Sequence, residues 1–245
     1  MLFRSLYLAL KECYPETYAR VKKYIKEGRI FADGAMWVES DTNLPSGESL
    51  IRQILYGRKF YREELNTESN TVWLPDCFGF TAALPQIMKG CGVRYFATQK
   101  IIRNYNGGDP FPYNIFQWEG IDGTKILSHI FKKNNAYIDP KTVITRWNED
   151  RNQEEDIDSF LYPFGHGDGG GGATRNHVEF MSRMEDLEGM PRMKVSTLDE
   201  FFRHIEKQGT QNRYVGELYF QCHRGTYTSQ AILKRKNRKR SGVEL

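Results

Sequence analysis

No run in this chain approaches the roughly 18 consecutive apolar residues that a membrane-crossing helix requires, so no membrane span is expected. The start, Met1-Leu2-Phe3-Arg4-Ser5, has no basic region followed by an apolar stretch and a small-residue cleavage site, and no export signal is read there. Cysteine is scarce. Cys13, Cys77, Cys91 and Cys222 form no CxxC pair, which argues against a zinc ribbon or a dithiol redox motif and suits a reducing, cytoplasmic setting. A thiol nucleophile at Cys77 would need a histidine that the neighbouring sequence does not offer, so a packed structural thiol is expected. The GxxxxGK[ST] pattern of a phosphate loop is absent as well.

What is present fits a globular α/β protein. The composition, 39% hydrophobic and 27% charged, is that of a chain with a buried core, and 245 residues suffice for one such core or for part of a larger enzyme. The formal charge of +4 is concentrated in Lys234-Arg235-Lys236-Asn237-Arg238-Lys239-Arg240. That run has no interleaved aromatics and matches no nucleic-acid motif, so it reads as a solvated helix face rather than a nucleic-acid site.

Helical and extended patterns alternate along the chain. Apolar spacing from Leu2 to Glu27, broken at Pro15, predicts two helices closed by Gly28, after which Arg29-Ile30-Phe31-Ala32 begins an extended segment. Met36-Trp37-Val38-Glu39 reads as a strand, followed by a loop of Asp41, Asn43, Pro45 and Gly47 and a helix carrying Leu50, Ile51, Ile54 and Leu55. Strands are predicted at Thr71-Val72-Trp73-Leu74 and Tyr95-Phe96-Ala97-Thr98-Gln99, with a helix from Ala82 to Lys89 between them. A hairpin is expected around Asp122-Gly123, joining Phe116–Gly120 to Lys125–His129. Further strands are expected at Phe160–Phe164 and Val215–Phe220, and helices over Glu179–Met190 and Leu198–Lys207, the second capped by Ser196-Thr197. No internal repeat interrupts the pattern.

Asp76 stands out chemically. It follows the buried-strand pattern Thr71–Leu74 and Pro75, at the kind of strand end where barrels and α/β sheets bind ligands, among Trp73, Phe78 and Phe80. Taken alone, a helix-capping aspartate is an equal alternative. Lys100 sits at the end of the next strand, where a cation would orient an anionic nucleophile, although a solvated lysine is the ordinary reading. Asp41, Asn43 and Ser46, each taken singly, read as turn and cap residues. Glu119 on the hairpin is expected to face water, and His129 to be a satisfied core histidine. Gly165-His166-Gly167-Asp168 runs into four consecutive glycines, a backbone that can approach a ligand closely. His166 receives no catalytic assignment.

Four stretches in one order resemble the glycoside hydrolase family 38 α-mannosidases, of the cytosolic and bacterial type. They are Met36-Trp37-Val38-Glu39-Ser40-Asp41-Thr42-Asn43-Leu44-Pro45-Ser46-Gly47-Glu48, Trp73-Leu74-Pro75-Asp76-Cys77-Phe78-Gly79, Phe164-Gly165-His166-Gly167-Asp168 with its glycine run, and Gly216-Glu217-Leu218-Tyr219 leading into His223-Arg224-Gly225-Thr226-Tyr227-Thr228-Ser229-Gln230. The Trp-Glu-Gly-Ile-Asp-Gly run from Trp118 to Gly123 agrees with them. The resemblance implies an α/β, incomplete seven-stranded barrel-like catalytic domain over residues 1–225 and the start of a helical middle domain over 226–245.

It also implies a retaining α-mannosidase acting on α-mannoside oligosaccharides, with Asp76 as nucleophile, Asp168 as acid and then base, and Trp37, Asp41, Phe78 and Lys100 toward the sugar. Asp76 would contact a zinc ion, or another divalent metal. The remaining ligands of the resembling enzymes, an early His-x-Asp motif and a histidine of the helical domain, are not read in this sequence, so the metal site is expected to be incomplete and the chain alone inactive. A non-catalytic carbohydrate-binding fragment is an alternative, as is a sugar-processing barrel such as a polysaccharide deacetylase, which would need histidine ligands at a spacing not seen here. Neither nucleic acid nor membrane is expected as a partner, and the full-length enzyme is open to homo-oligomerisation.

Overall fold

Parallel strands covered on both faces read as unbroken apolar runs, and the two short runs that bracket the predicted active loop behave in that way. Every residue of β1 (Thr71–Leu74) and β2 (Tyr95–Thr98) is buried. In the computed structural model, which describes residues 4–102, 111–132, 137–149, 157–167, 171–223 and 225–241, these strands belong to one five-stranded sheet. Its other members are β3 (Ile115–Glu119), β4 (Lys125–Ile130) and β5 (Arg213–Val215), and the order is β1-β2-β4-β3-β5. β1, β2 and β4 are parallel, β3 pairs antiparallel with β4, and β5 runs parallel to β3. The predicted hairpin is the β3–β4 pair, with Gly123 at positive φ (83°) in its turn.

The period of two along each strand divides the core between two faces. Val72, Leu74, Phe96, Phe116, Trp118, Ile126 and Ile130 point to one side and meet Leu50 and Ile54 of α3 (Gly47–Leu65) and Leu84 and Met88 of α4 (Leu84–Gly90). Trp73, Tyr95, Ala97, Ile115 and Leu127 point to the other, against Phe201, Phe202 and Ile205 of α7 (Leu198–Gln208). Thr197 caps α7 in a reciprocal box with Glu200, as the sequence predicted. The two amino-terminal helices, α1 (Arg4–Cys13) and α2 (Pro15–Lys26), pack with α3 in a separate cluster around Tyr7, Tyr18, Ile25 and Tyr61. α5 (Pro140–Glu149) and α6 (Arg175–Arg183) border a smaller cluster of Ile138, Val143 and Met184. The basic run lies on α9 (Ala231–Ser241), after the short α8 (Gly225–Thr228).

Three predicted strands are corrected. Met36–Val38 forms bends and Glu39 is irregular, because Gln53 of α3 takes the donors: Trp37 N–H gives to the Gln53 carbonyl at 2.9 Å and Val38 N–H to Gln53 Oε1 at 3.1 Å. Only Gly34 pairs with β1, through an isolated parallel bridge to Val72. Gly57 makes room for this approach, since a β-carbon there would run into the Ala35 carbonyl. Phe160–Phe164 is no strand either. Leu161 packs on the α7 side of the sheet while Tyr162 and Phe164 pack in the α5–α6 cluster, so the segment crosses between clusters instead of lying along a neighbouring strand. Val215–Phe220 contributes only the end of β5, because the chain turns away at Gly216 (φ 105°) before Leu218 bridges to Phe80. Helix α6 also stops seven residues before the predicted Met190. Five strands are formed among the described residues.

Candidate active site

The sheet register explains the central pair of the site. β1 and β2 are parallel with partners 24 positions apart, Leu74 opposite Thr98, and the Thr98 hydroxyl gives to the Leu74 carbonyl at 2.7 Å. Two residues past each strand end the same offset places Lys100 beside Asp76, and Lys100 Nζ lies 2.7 Å from Asp76 Oδ1. The carboxylate side chain is 48% exposed and the lysine 19%, so the pair opens to solvent on the Asp76 side. The Lys100 ammonium is also 5.9 Å from the centre of the Phe78 ring. Asp76, Phe78 and Lys100, three of the predicted site residues, are thus neighbours.

A strap formed by residues 39–43 lies along the loop after β1 and is stitched to it mainly by side chains. Asp76 N–H gives to Glu39 Oε1 (2.9 Å), Cys77 Sγ to the Ser40 carbonyl (3.2 Å), and Thr42 Oγ1 and Asn43 Nδ2 to the Gly79 carbonyl (3.3 and 3.0 Å). The first three of these pairs are 37 positions apart, close to the spacing of the Gly34–Val72 bridge, so the strap continues the direction of that abandoned strand. Asp41 receives the backbone N–H groups of Asn43 and Leu44 at 3.3 and 2.9 Å and shapes the strap's turn. Loss of surrounding water raises the Glu39 carboxyl above the ordinary carboxylate range, and the Asp76 charge adds to this, while the Asp76 N–H and Lys100 oppose it. Burial pushes the Cys77 thiol far up, with Glu39, Asp41 and Asp76 adding to the effect, which suits a packed thiol rather than a nucleophile.

The carboxyl-terminal stretch closes over the same loop. Tyr227 Oη gives to the Phe78 carbonyl at 2.7 Å and receives Asn43 Nδ2 at 2.9 Å, joining loop, strap and α8. His223, in a left-handed conformation (φ 65°), sets its ring edge-on to Phe78 with centroids 4.8 Å apart, and Phe220 stacks on Phe78 at 5.9 Å. Sequence reasoning assigned no role to Glu39, His223 or Tyr227. The last two lie about 150 positions from their partner, and only their membership of the His223–Gln230 stretch pointed to them.

Other predicted residues fall elsewhere. The Trp37 ring packs in the α1–α3 cluster, under the Arg4 guanidinium and edge-on to Tyr56 and Phe60 at 6.4 Å. Asp168 lies outside the described residues. Its described flanks, His166 and Gly172, exchange both backbone hydrogen bonds at 2.7 Å. Glu119 does not face water as expected: it is buried and holds Arg213 with two bonds of 2.6 Å, because β5 lies beside β3 and brings that arginine to it. His129 is fully buried, pairs through Nδ1 with the Asn114 carbonyl at 3.0 Å, and is pushed down to about 4 by burial.

The donor chemistry for zinc is not assembled among the described residues. No group of three or more His, Cys, Asp or Glu side chains converges there in a way that could hold a metal ion, and Oδ1 of Asp76 is engaged by Lys100. No helix among them is long and apolar enough to cross a membrane.

Comparison with known proteins gives this geometry a lineage. The chain is 42% identical over 231 residues to Alpha-mannosidase G of Dictyostelium discoideum, covering 93% of this chain and 21% of that protein. It is 38% identical to Homo sapiens Alpha-mannosidase 2C1 over 235 residues, covering 94% of this chain and 22% of that one. The chain therefore spans about a fifth of the length of these relatives. A crystal structure of an alpha-mannosidase from Enterococcus faecalis V583 superposes with a TM-score of 0.71 at 21% identity, covering 84% of this chain and 24% of that one, which establishes a shared fold. The profile of the glycosyl hydrolases family 38 N-terminal domain matches residues 2–221, and the chain belongs to that family.

Proposed function

We propose that this chain is the amino-terminal catalytic segment of a retaining α-mannosidase that removes terminal α-linked mannose from oligosaccharides or glycans. One observation carries the reading: Asp76 stands at the carboxyl end of a buried parallel strand, half open to solvent and paired with Lys100 at 2.7 Å. Family membership and relatives named alpha-mannosidase at 38–42% identity support it. Residues 1–225 belong on this reading to a seven-stranded barrel-like domain and residues 226–245 begin a helical middle domain. A cytoplasmic site of action accords with the free cysteines.

Asp76 attacks the anomeric carbon as the bond to the leaving oxygen breaks, and Asp168 gives that oxygen its proton. Water then attacks the glycosyl-enzyme ester while Asp168 takes a proton from it, which restores both carboxyl groups. Retention calls for the two carboxyl groups to lie about 5–5.5 Å apart. Lys100 favours the ionised nucleophile, and Phe78 and Asp41 belong to the sugar side of the same reading. A catalytic zinc takes about three protein ligands, and Asp76 supplies one, so no step here runs through the metal.

The reading is tested in the full-length enzyme with aryl α-mannosides. Asp76→Asn is expected to abolish turnover with the fold intact, and Asp168→Asn to slow substrates with poor leaving groups more than those with good ones. Wild-type turnover by a folded Asp76→Asn enzyme would remove Asp76 from the chemistry.

A further inference from the structure

β1 ends at Leu74, and Pro75 has no N–H, so the Asp76 N–H is the first main-chain donor beyond the ladder. A donor there that finds no acceptor leaves the residue free to turn. Its acceptor is a carboxylate, Glu39 Oε1 at 2.9 Å, from the strap that runs alongside. The other ties between strap and loop reach Cys77 and Gly79, and Tyr227 reaches Phe78. They hold the loop downstream of Asp76.

Glu39 also brings a second negative charge next to Asp76, and the Lys100 ammonium that pairs with Asp76 offsets part of the repulsion. Like charges so close are unfavourable, and a neutral acceptor would satisfy an ordinary backbone donor without that cost. A carboxylate makes the stronger, shorter bond, which fixes the amide more firmly.

We propose that Glu39 is a positioning residue for the nucleophile: its carboxylate holds the Asp76 backbone N–H, and thereby aims the Asp76 side chain beside Lys100. This rests on Asp76 being the nucleophile. Small displacements of a reacting group lower rates steeply, about a hundredfold for 1 Å, so the effect belongs in kcat rather than in KM.

The test uses the full-length enzyme with Glu39→Ala, which removes the acceptor, and Glu39→Gln, which keeps a carbonyl oxygen for the Asp76 N–H but removes the charge. Glu39 belongs to the strap and to none of the hydrophobic clusters, so neither change opens a cavity in the core. Glu39→Ala is expected to lower kcat on aryl α-mannosides by about ten- to a hundredfold with KM little changed, and Glu39→Gln to restore most of the loss. Hydrogen exchange of the Asp76 amide, followed on peptides spanning residues 73–78, is expected to quicken in Glu39→Ala and to stay near wild type in Glu39→Gln. Unchanged kcat in Glu39→Ala, unchanged amide exchange, or equal damage from both substitutions would each overturn the proposal. If the wild-type enzyme turned over no α-mannoside, the functional reading would fall, and the exchange rates would still decide whether Glu39 holds Asp76.

Discussion

Asp76 and Lys100 stand 24 positions apart, the same offset that sets Thr71 opposite Tyr95 and Leu74 opposite Thr98, and their charged atoms meet at 2.7 Å. The ion pair is therefore an extension of the parallel register, two residues past the last rung. A one-residue slip between β1 and β2 would reverse which face each side chain points to and break the pair.

Lys100→Met is expected to lower kcat/KM for α-mannosides by about ten- to a hundredfold, as the loss of a fixed charge beside a reacting group does. Lys100→Arg should be milder, because the charge is kept and the hydrogen-bonding geometry changed. Stability should move by less than about 1 kcal/mol, since Asp76 is half exposed and such pairs are weak in water. Steady-state kinetics and a urea titration check both parts, and wild-type kcat/KM in Lys100→Met would separate the lysine from the chemistry.

Asp33 carries a prediction of pH dependence. Its Oδ1 accepts from Gly34 N–H at 2.7 Å and from the Ser69 hydroxyl, and burial raises its carboxyl to about 6 despite them, with Asp199 adding to the rise. An acid whose folded value is raised stabilises the protein most when protonated, below the unfolded value of 3.8, and that contribution is lost as pH rises through about 6. Asp33→Asn keeps the acceptor and removes the charge. It should stabilise the protein by on the order of 1–3 kcal/mol above about pH 6, and the gain should vanish near about pH 4. Urea midpoints measured at the two ends of that range decide it; a gain of the same size at both would mean that charge is not the cause.

Glu119 fastens β5 to the sheet through Arg213 at 2.6 Å, with Lys125 at 3.7 Å, and the arginine holds its carboxyl below the usual range. A depressed acid stabilises above its unfolded value of 4.5 and loses that contribution as pH falls through the lower folded value. Glu119→Gln should therefore lower Tm at neutral pH, with the difference from wild type shrinking in acid. Faster amide exchange at Arg213–Val215 should accompany it, since β5 is three residues long and lies at the sheet edge. Unchanged exchange there would place the role of Glu119 elsewhere.

Local patterns were sufficient for much of this protein. Thr71–Leu74 and Tyr95–Thr98 are strands because β-branched and aromatic runs suit a sheet buried on both faces, the hairpin follows from Asp122-Gly123, and Thr197 with Glu200 caps α7. Asp76 was visible for the same reason, as a lone carboxylate where such a run ends. What the tertiary structure decided are the matters in which a backbone or side chain had more than one partner to choose from. Met36–Glu39 has a strand's composition, yet Gln53 of α3 takes its donors and leaves it a strap. Glu119 looked like a surface residue until β5 brought Arg213 to it from 94 positions away. Lys100 read as a solvated lysine or as a cation for the nucleophile until the register of β1 and β2 placed it on Asp76, and Tyr227 reaches Phe78 across 149 positions. Propensity and periodicity act between residues a few positions apart, whereas these choices depend on which distant groups the packed core brings within hydrogen-bonding reach.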